Sequence, residues 1–140
     1  LKNFKTKFIM GNYQRPANLI SVAKGMELNE NYNSKRAPVI ENSIGKEDAN
    51  AVWFSIEELQ NYIDYIKTEG AAKGHDVDGI RFYLGVYSDN EAADKAGYTT
   101  LFLSPTCKVP NSTEVAQDIT DMELLNYGSI GHPPKIEYGR

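Results

Sequence analysis

The chain has 140 residues, a net charge of −4, 41% hydrophobic and 24% charged residues, which is one domain's worth with enough apolar side chains for a single core and too ordinary a balance for wholesale disorder. Its one cysteine, Cys107, excludes an intrachain disulfide framework and a cysteine-rich zinc site. No run approaches the roughly 18 apolar residues of a membrane-spanning helix, and Phe8-Ile9-Met10 is too short for the apolar region of a secretory signal, so a cytoplasmic location is the default expectation, with a segment upstream of Leu1 left open.

Charge is unevenly placed. Residues 1–50 carry eight Lys/Arg against five Asp/Glu, and residues 51–140 carry seven against fourteen, which makes the core a poor partner for nucleic acid. Residues 1–18 show no sustained period and scatter Lys2, Lys5, Lys7 and Arg15 without an acid, the pattern of a flexible, solvated basic arm. From Ser21 to Tyr32 a helix is expected, capped by Ser21 and facing inward with Val22, Met26, Leu28 and Tyr32, although Gly25 costs about 1 kcal/mol against alanine. Residues 33–50, with Pro38, Gly45 and many polar residues, read as a long connection with a short extended piece at Val39-Ile40.

Val52 to Tyr87 reads as strand, helix, strand. After the Val-Trp-Phe-Ser strand at 52–55, Ser55 and Glu58 have capping-box spacing and Phe54 and Leu59 have that of a hydrophobic staple. Ile56, Leu59, Ile63 and Ile66 then recur at helical intervals with Tyr62 beside them, so one face of the 56–73 helix is apolar and should lie on a sheet. Gly70 would let another backbone approach, and Gly74 suits a left-handed cap, so the helix should stop at one of the two. In the strand that follows, Ile80, Phe82, Leu84 and Val86 alternate with Arg81, Tyr83, Gly85 and Tyr87. The first set is expected to meet the helix, and the second to form the other face.

A loop and Gly97 lead to a strand from Tyr98 to Ser104, antiparallel to the one before it and ended by Pro105. Thr120 and Glu123 repeat the capping-box spacing before Met122, Leu124 and Leu125, which predicts a short helix closed by Gly128. The tail from Ser129 to Arg140 is expected to be extended.

Val52-Trp53-Phe54-Ser55, Glu58-Leu59, Tyr62-Ile63 and Gly79-Ile80-Arg81-Phe82-Tyr83-Leu84-Gly85 together resemble a group of small uncharacterised bacterial proteins, a domain of unknown function, that share a strand–helix–strand pattern. Those proteins end in Tyr/Phe-Gly followed by Cys-Pro-Pro, to which Tyr127-Gly128 and Pro133-Pro134 are similar, with His132 where the cysteine would stand. The resemblance implies an α+β fold and a bacterial origin, and brings no activity or site residue.

Candidate chemistry is sparse. Cys107 would need His75 or His132 within hydrogen-bond reach to act as a nucleophile, and sits just past a strand, where a lone cysteine is more often inert. His75-Asp76-Val77-Asp78-Gly79 lacks the further acidic positions of a calcium loop and the neighbouring His or Cys of a zinc site, and reads as turn chemistry. No metal or cofactor is therefore expected. What remains is the second sheet face, Arg81, Tyr83 and Tyr87 with Tyr98 beside them. Tyrosines offer area and hydroxyls, and Arg81 a bidentate handle for a carboxylate or phosphate, unless another layer covers them.

The expectation is a single α+β domain, a small mixed or antiparallel sheet with the central amphipathic helix on one face, and a noncatalytic binding role toward a protein or a small anionic ligand at Arg81, Tyr83, Tyr87 and Tyr98. Nucleic acid and membrane are not expected partners, and a homo-oligomer is left open. The alternative is a small hydrolase using acidic residues of the 75–79 and 88–96 loops.

Overall fold

In the computed structural model, residues 12–109, 116–131 and 134–139 are described, and their frame is an antiparallel ribbon of two long strands, β1 (Val77–Val86) and β2 (Thr99–Cys107). A two-residue strand, β3 (Gln117–Asp118), pairs with the end of β2, so the order β1-β2-β3 leaves β1 at an edge. Helices α1 (Val22–Lys35), α2 (Ala37–Ile44) and α3 (Ile56–Ala72) come before the sheet in the chain. The fold is α+β, as the hydrophobic periods indicate.

The α3 start follows from its cap: the Ser55 hydroxyl accepts the Glu58 N–H at 2.9 Å. Its end follows from Gly74, at φ 82, with the His75 N–H returning to the Gly70 carbonyl at 2.8 Å. Gly74 serves as its spacing suggests, whereas Gly70 is buried where a Cβ would collide with the Val77 side chain, so it admits a side chain and not the backbone expected. Tyr62 and Ile66 pack on Leu103, Ile119 and Met122, with Leu59, Ile80, Leu101 and Leu125 half-buried around them. Ile56, expected at the head of the apolar stripe, is exposed instead. The Tyr62 hydroxyl explains the rotation, because it donates to the carbonyls of Leu103 and Glu123 at 3.1 and 3.0 Å and so centres the helix on β2 and the segment after β3.

Several expectations are corrected. Residues 52–55 form no strand of the sheet; Trp53 alone makes a bridge, exchanging backbone bonds with Ser129 at 2.7 and 2.8 Å. Pro105 lies inside β2 and does not end it. It pairs with Ile80 in the same parity as Leu103, whose backbone groups face away from β1, so the missing N–H removes no bond of the β1–β2 ladder while the Pro105 carbonyl accepts from Ile119 at 2.9 Å. Residues 120–128 form no helix. Leu125 exchanges both backbone bonds with Leu103 at 2.8 and 3.1 Å, and this sheet-like pairing takes the groups a helix would use.

The 33–50 connection contains α2, for which Pro38 is a starter, sitting in the first turn where its N–H would have had no partner, and Gly45 at φ 78 is the stop. Helix α1 begins at Ser21 as expected, but Val22, Met26 and Leu28 are exposed. It has no buried residue, and the tail ties to it at Asn29 and to the neighbouring Asn50 and α2. Asn50 clamps the Ile136 backbone through both its amide groups at 2.8 and 3.0 Å, Asn29 accepts the Tyr138 N–H at 3.0 Å, and Lys135 pairs with Glu41 at 3.0 Å. Of the basic arm, residues 1–11 lie outside the described residues, and residues 12–20 are exposed throughout.

Candidate functional site

The β1–β2 register sorts the sheet into two faces. Ile80, Phe82, Leu84 and Val86 lie opposite Pro105, Leu103, Leu101 and Thr99 on the α3 side, while Arg81, Tyr83 and Gly85 lie opposite Ser104, Phe102 and Thr100 on the other. A bulge at Asp78 lets Val77 join Ile80 on the α3 side, where both touch the core. The sorting is the expected one. Coverage is not, because α3 reaches β1 only at Val77 and Ile80 and leaves Phe82, Leu84 and Val86 at 58%, 77% and 69% exposure.

The Arg81 face is closed by its own residues. Arg81 donates to Asp118 at 2.5 Å and to the Ala116 carbonyl at 2.7 Å, and the Tyr83 hydroxyl donates to the other Asp118 oxygen. These two side chains reach across Ser104, which is buried, as are Thr100 and Thr106 on the same face. The Tyr83 hydroxyl and the Asp118 charge raise the Arg81 pKa above its ordinary value, with partial desolvation opposing them. Tyr83 stacks on Phe102 with ring centres 5.1 Å apart. Tyr87 is buried and stacks on Tyr127 at 5.6 Å, whose hydroxyl donates to Glu91 at 2.9 Å; that bond raises the Tyr127 pKa. Tyr98 lies under the Lys46 ammonium, 3.9 Å from its ring centre. The structure therefore brings Arg81 and Tyr83 together at Asp118 and places Tyr87 and Tyr98 further along, each with its own partner.

The open feature is the outer side of β1. Because Leu103 spends its backbone groups on Leu125, its pairing with Phe82 is of the kind without ladder bonds, and Phe82, Leu84 and Val86 aim their N–H and C=O groups away from β2. Tyr87 confirms the alternation: its N–H bonds to Tyr98 and its carbonyl accepts from Gly97, each at 3.0 Å. The same three residues thus present an apolar row and a backbone edge with no strand partner among the described residues. Beside Leu84 the row opens into a cleft of about 100 Å³ lined by Tyr32, Ala49, Ala51, Val52 and Leu101. The buried Asp48 holds that wall in place by accepting the Ala49 and Thr99 N–H groups, both at 2.8 Å.

The acidic loops are dispersed among other tasks. His75 pairs with Asp121 at 2.9 Å, Asp78 accepts from the Thr106 hydroxyl at 2.7 Å, and Asp94 stands against Lys95 at 3.7 Å. Cys107 is half-buried in β2 between Val77 and Gln117. Among the described residues no group of three or more His, Cys, Asp or Glu could hold a metal ion, and no helix is long and apolar enough to cross a membrane. A cavity of about 460 Å³ between α1 and the tail is lined by Ile20, Val22, Gly25, Ala51, Ile136 and Tyr138, with Ser21 and Asn29 as its polar groups.

Sequence reasoning missed the Phe82, Leu84 and Val86 row as a surface. The signal lay in Ile119, Met122 and Leu125: apolar side chains that an extended segment on the far side of β2 brings under α3, drawing the helix off β1. No protein-family model, curated protein or solved structure matches this chain.

Proposed function

We propose that this domain is a noncatalytic protein-interaction module that binds an extended segment along the outer edge of β1. One observation carries this: Phe82, Leu84 and Val86 offer edge groups unpaired among the described residues, and exposed apolar side chains, from the same positions. Strand addition draws affinity from main-chain bonds and selectivity from alternate side chains, and this edge has both, with the cleft beside Leu84 to receive a side chain. Arg81 and Tyr83 enter from the other side of the strand. Tied to Asp118, they hold β1 extended, and Tyr87 and Tyr98 close the ribbon at its end. Titration calorimetry with a synthetic peptide of alternating valine and threonine, unrelated to the chain's own sequence, tests the edge in dilute protein. Binding that Leu84→Pro abolishes is the expected result; a wild-type protein that ignores the peptide overturns the reading.

A second reading is favoured by the Tyr87 hydroxyl, which is buried and has no hydrogen-bond partner among the described residues. It belongs to the wall of a cleft of about 190 Å³ shared with Lys95, Asp94, Tyr127 and Ser129, where a small anion would find a donor and a cation. A melting temperature raised by phosphate or acetate in wild type but not in Tyr87→Phe would support it, and one unmoved by either anion would remove it.

A further inference from the structure

We infer that the segment bound at the β1 edge is β1 of a second copy of this chain, paired antiparallel about a two-fold axis through Leu84. This rests on the edge reading above and names its partner.

Natural sheets protect an open edge with proline, lysine, bulges or a covering element. From Ile80 to Val86 there is no proline and no lysine, and the bulge lies before this stretch, at Asp78. The one charged side chain between Gly79 and Tyr87 is Arg81, which folds onto Asp118 over the inner neighbours and not over the edge. The edge is left fit for pairing.

A two-fold axis through Leu84 makes the strand complementary to itself. On the α3 side Leu84 meets Leu84 of the second copy and Phe82 meets Val86, so the two exposed rows fuse into one apolar strip. On the other side Tyr83 falls opposite Gly85, an aromatic ring beside a residue with no side chain, and Arg81 falls opposite Tyr87. No like charges meet anywhere along Gly79 to Tyr87, because Arg81 of each copy lies away from the axis. Phe82, Leu84 and Val86 are also the residues whose backbone groups point outward, so in this register each exchanges both of its bonds with an outward-pointing residue of the other copy.

The ribbon gains most from such a partner. With β3 only two residues long, each sheet is narrow, and joining two copies turns two ribbons into one continuous sheet with the paired β1 strands at its centre. A second copy supplies a strand of matched length at whatever concentration the protein itself reaches.

The test combines molar mass by light scattering with amide exchange at Phe82, Leu84 and Val86 over a range of protein concentrations, on the full chain. The expected result is a mass of twice the 15.7 kDa chain, with exchange at those three amides slowing as concentration rises. Leu84→Pro and, should its fold be disturbed, Leu84→Lys should return the mass to that of one chain and make the exchange independent of concentration. A wild-type monomer whose three amides exchange freely overturns the second copy as partner and leaves the edge reading standing. A monomer whose amides are protected at every concentration overturns both, since the chain itself then covers the edge.

Discussion

Phe82 and Leu103 lie directly opposite each other in the β1–β2 ladder and on the same face of the sheet, yet Leu103 is 0% exposed and Phe82 is 58% exposed. The boundary of the core runs between them. It is set by where α3 rests, and α3 rests where Tyr62 is bonded, on the far side of β2.

Tyr62 should therefore report on base-induced unfolding. Burial, with the neighbouring Tyr65 adding to it, pushes its pKa from 10.0 up to about 12. A raised pKa favours the protonated folded form, so this stabilisation is fully present below about pH 10 and is lost as pH rises toward about 12. Tyr62→Phe should lose about 1 kcal/mol at neutral pH with its two hydrogen bonds, and should show a shallower fall in stability between those pH values. Denaturant midpoints of both proteins across that window check it; parallel curves would show that Tyr62 is not the titrating group.

Ser55→Ala should cost about 1 kcal/mol, because it strands the Glu58 N–H at the start of α3. An unchanged denaturation midpoint would remove the cap from the account.

Gly70→Ala should cost about 1–3 kcal/mol through collision with Val77. Pairing it with Val77→Ala should recover part of the loss, since the clash and its relief share one contact. If the two losses simply add in a double-mutant cycle, the helix and β1 do not touch there.

Much of the fold was legible because local signals were strong. The α3 cap, its glycine stop, the Ser21 start of α1 and the alternation along β1 are each decided by a few neighbouring residues, and each stands as expected. What failed depended on distant partners. Thr120 and Glu123 have helical capping spacing, but the edge of β2 captured Leu125 first. Pro105 looked like a terminator because sequence does not say which side of a strand a missing N–H will face. Alternation leaves undecided whether Arg81 and Tyr83 lie open or covered, because Asp118, which ties them down, is 37 and 35 residues away from them in the chain. The pattern correctly divided β1 into two faces; which face the helix would fully cover was a matter of packing beyond β2.

The most direct test of that division is equilibrium unfolding of Leu84→Lys beside Leu103→Ala, both in dilute protein. Leu84 is 77% exposed and Leu103 is 0% exposed, so the account predicts a midpoint for Leu84→Lys within about 0.5 kcal/mol of wild type and a loss of about 2–5 kcal/mol for Leu103→Ala. A Leu84→Lys protein destabilised as much as Leu103→Ala would mean that the helix covers the whole row, and would contradict the open β1 edge.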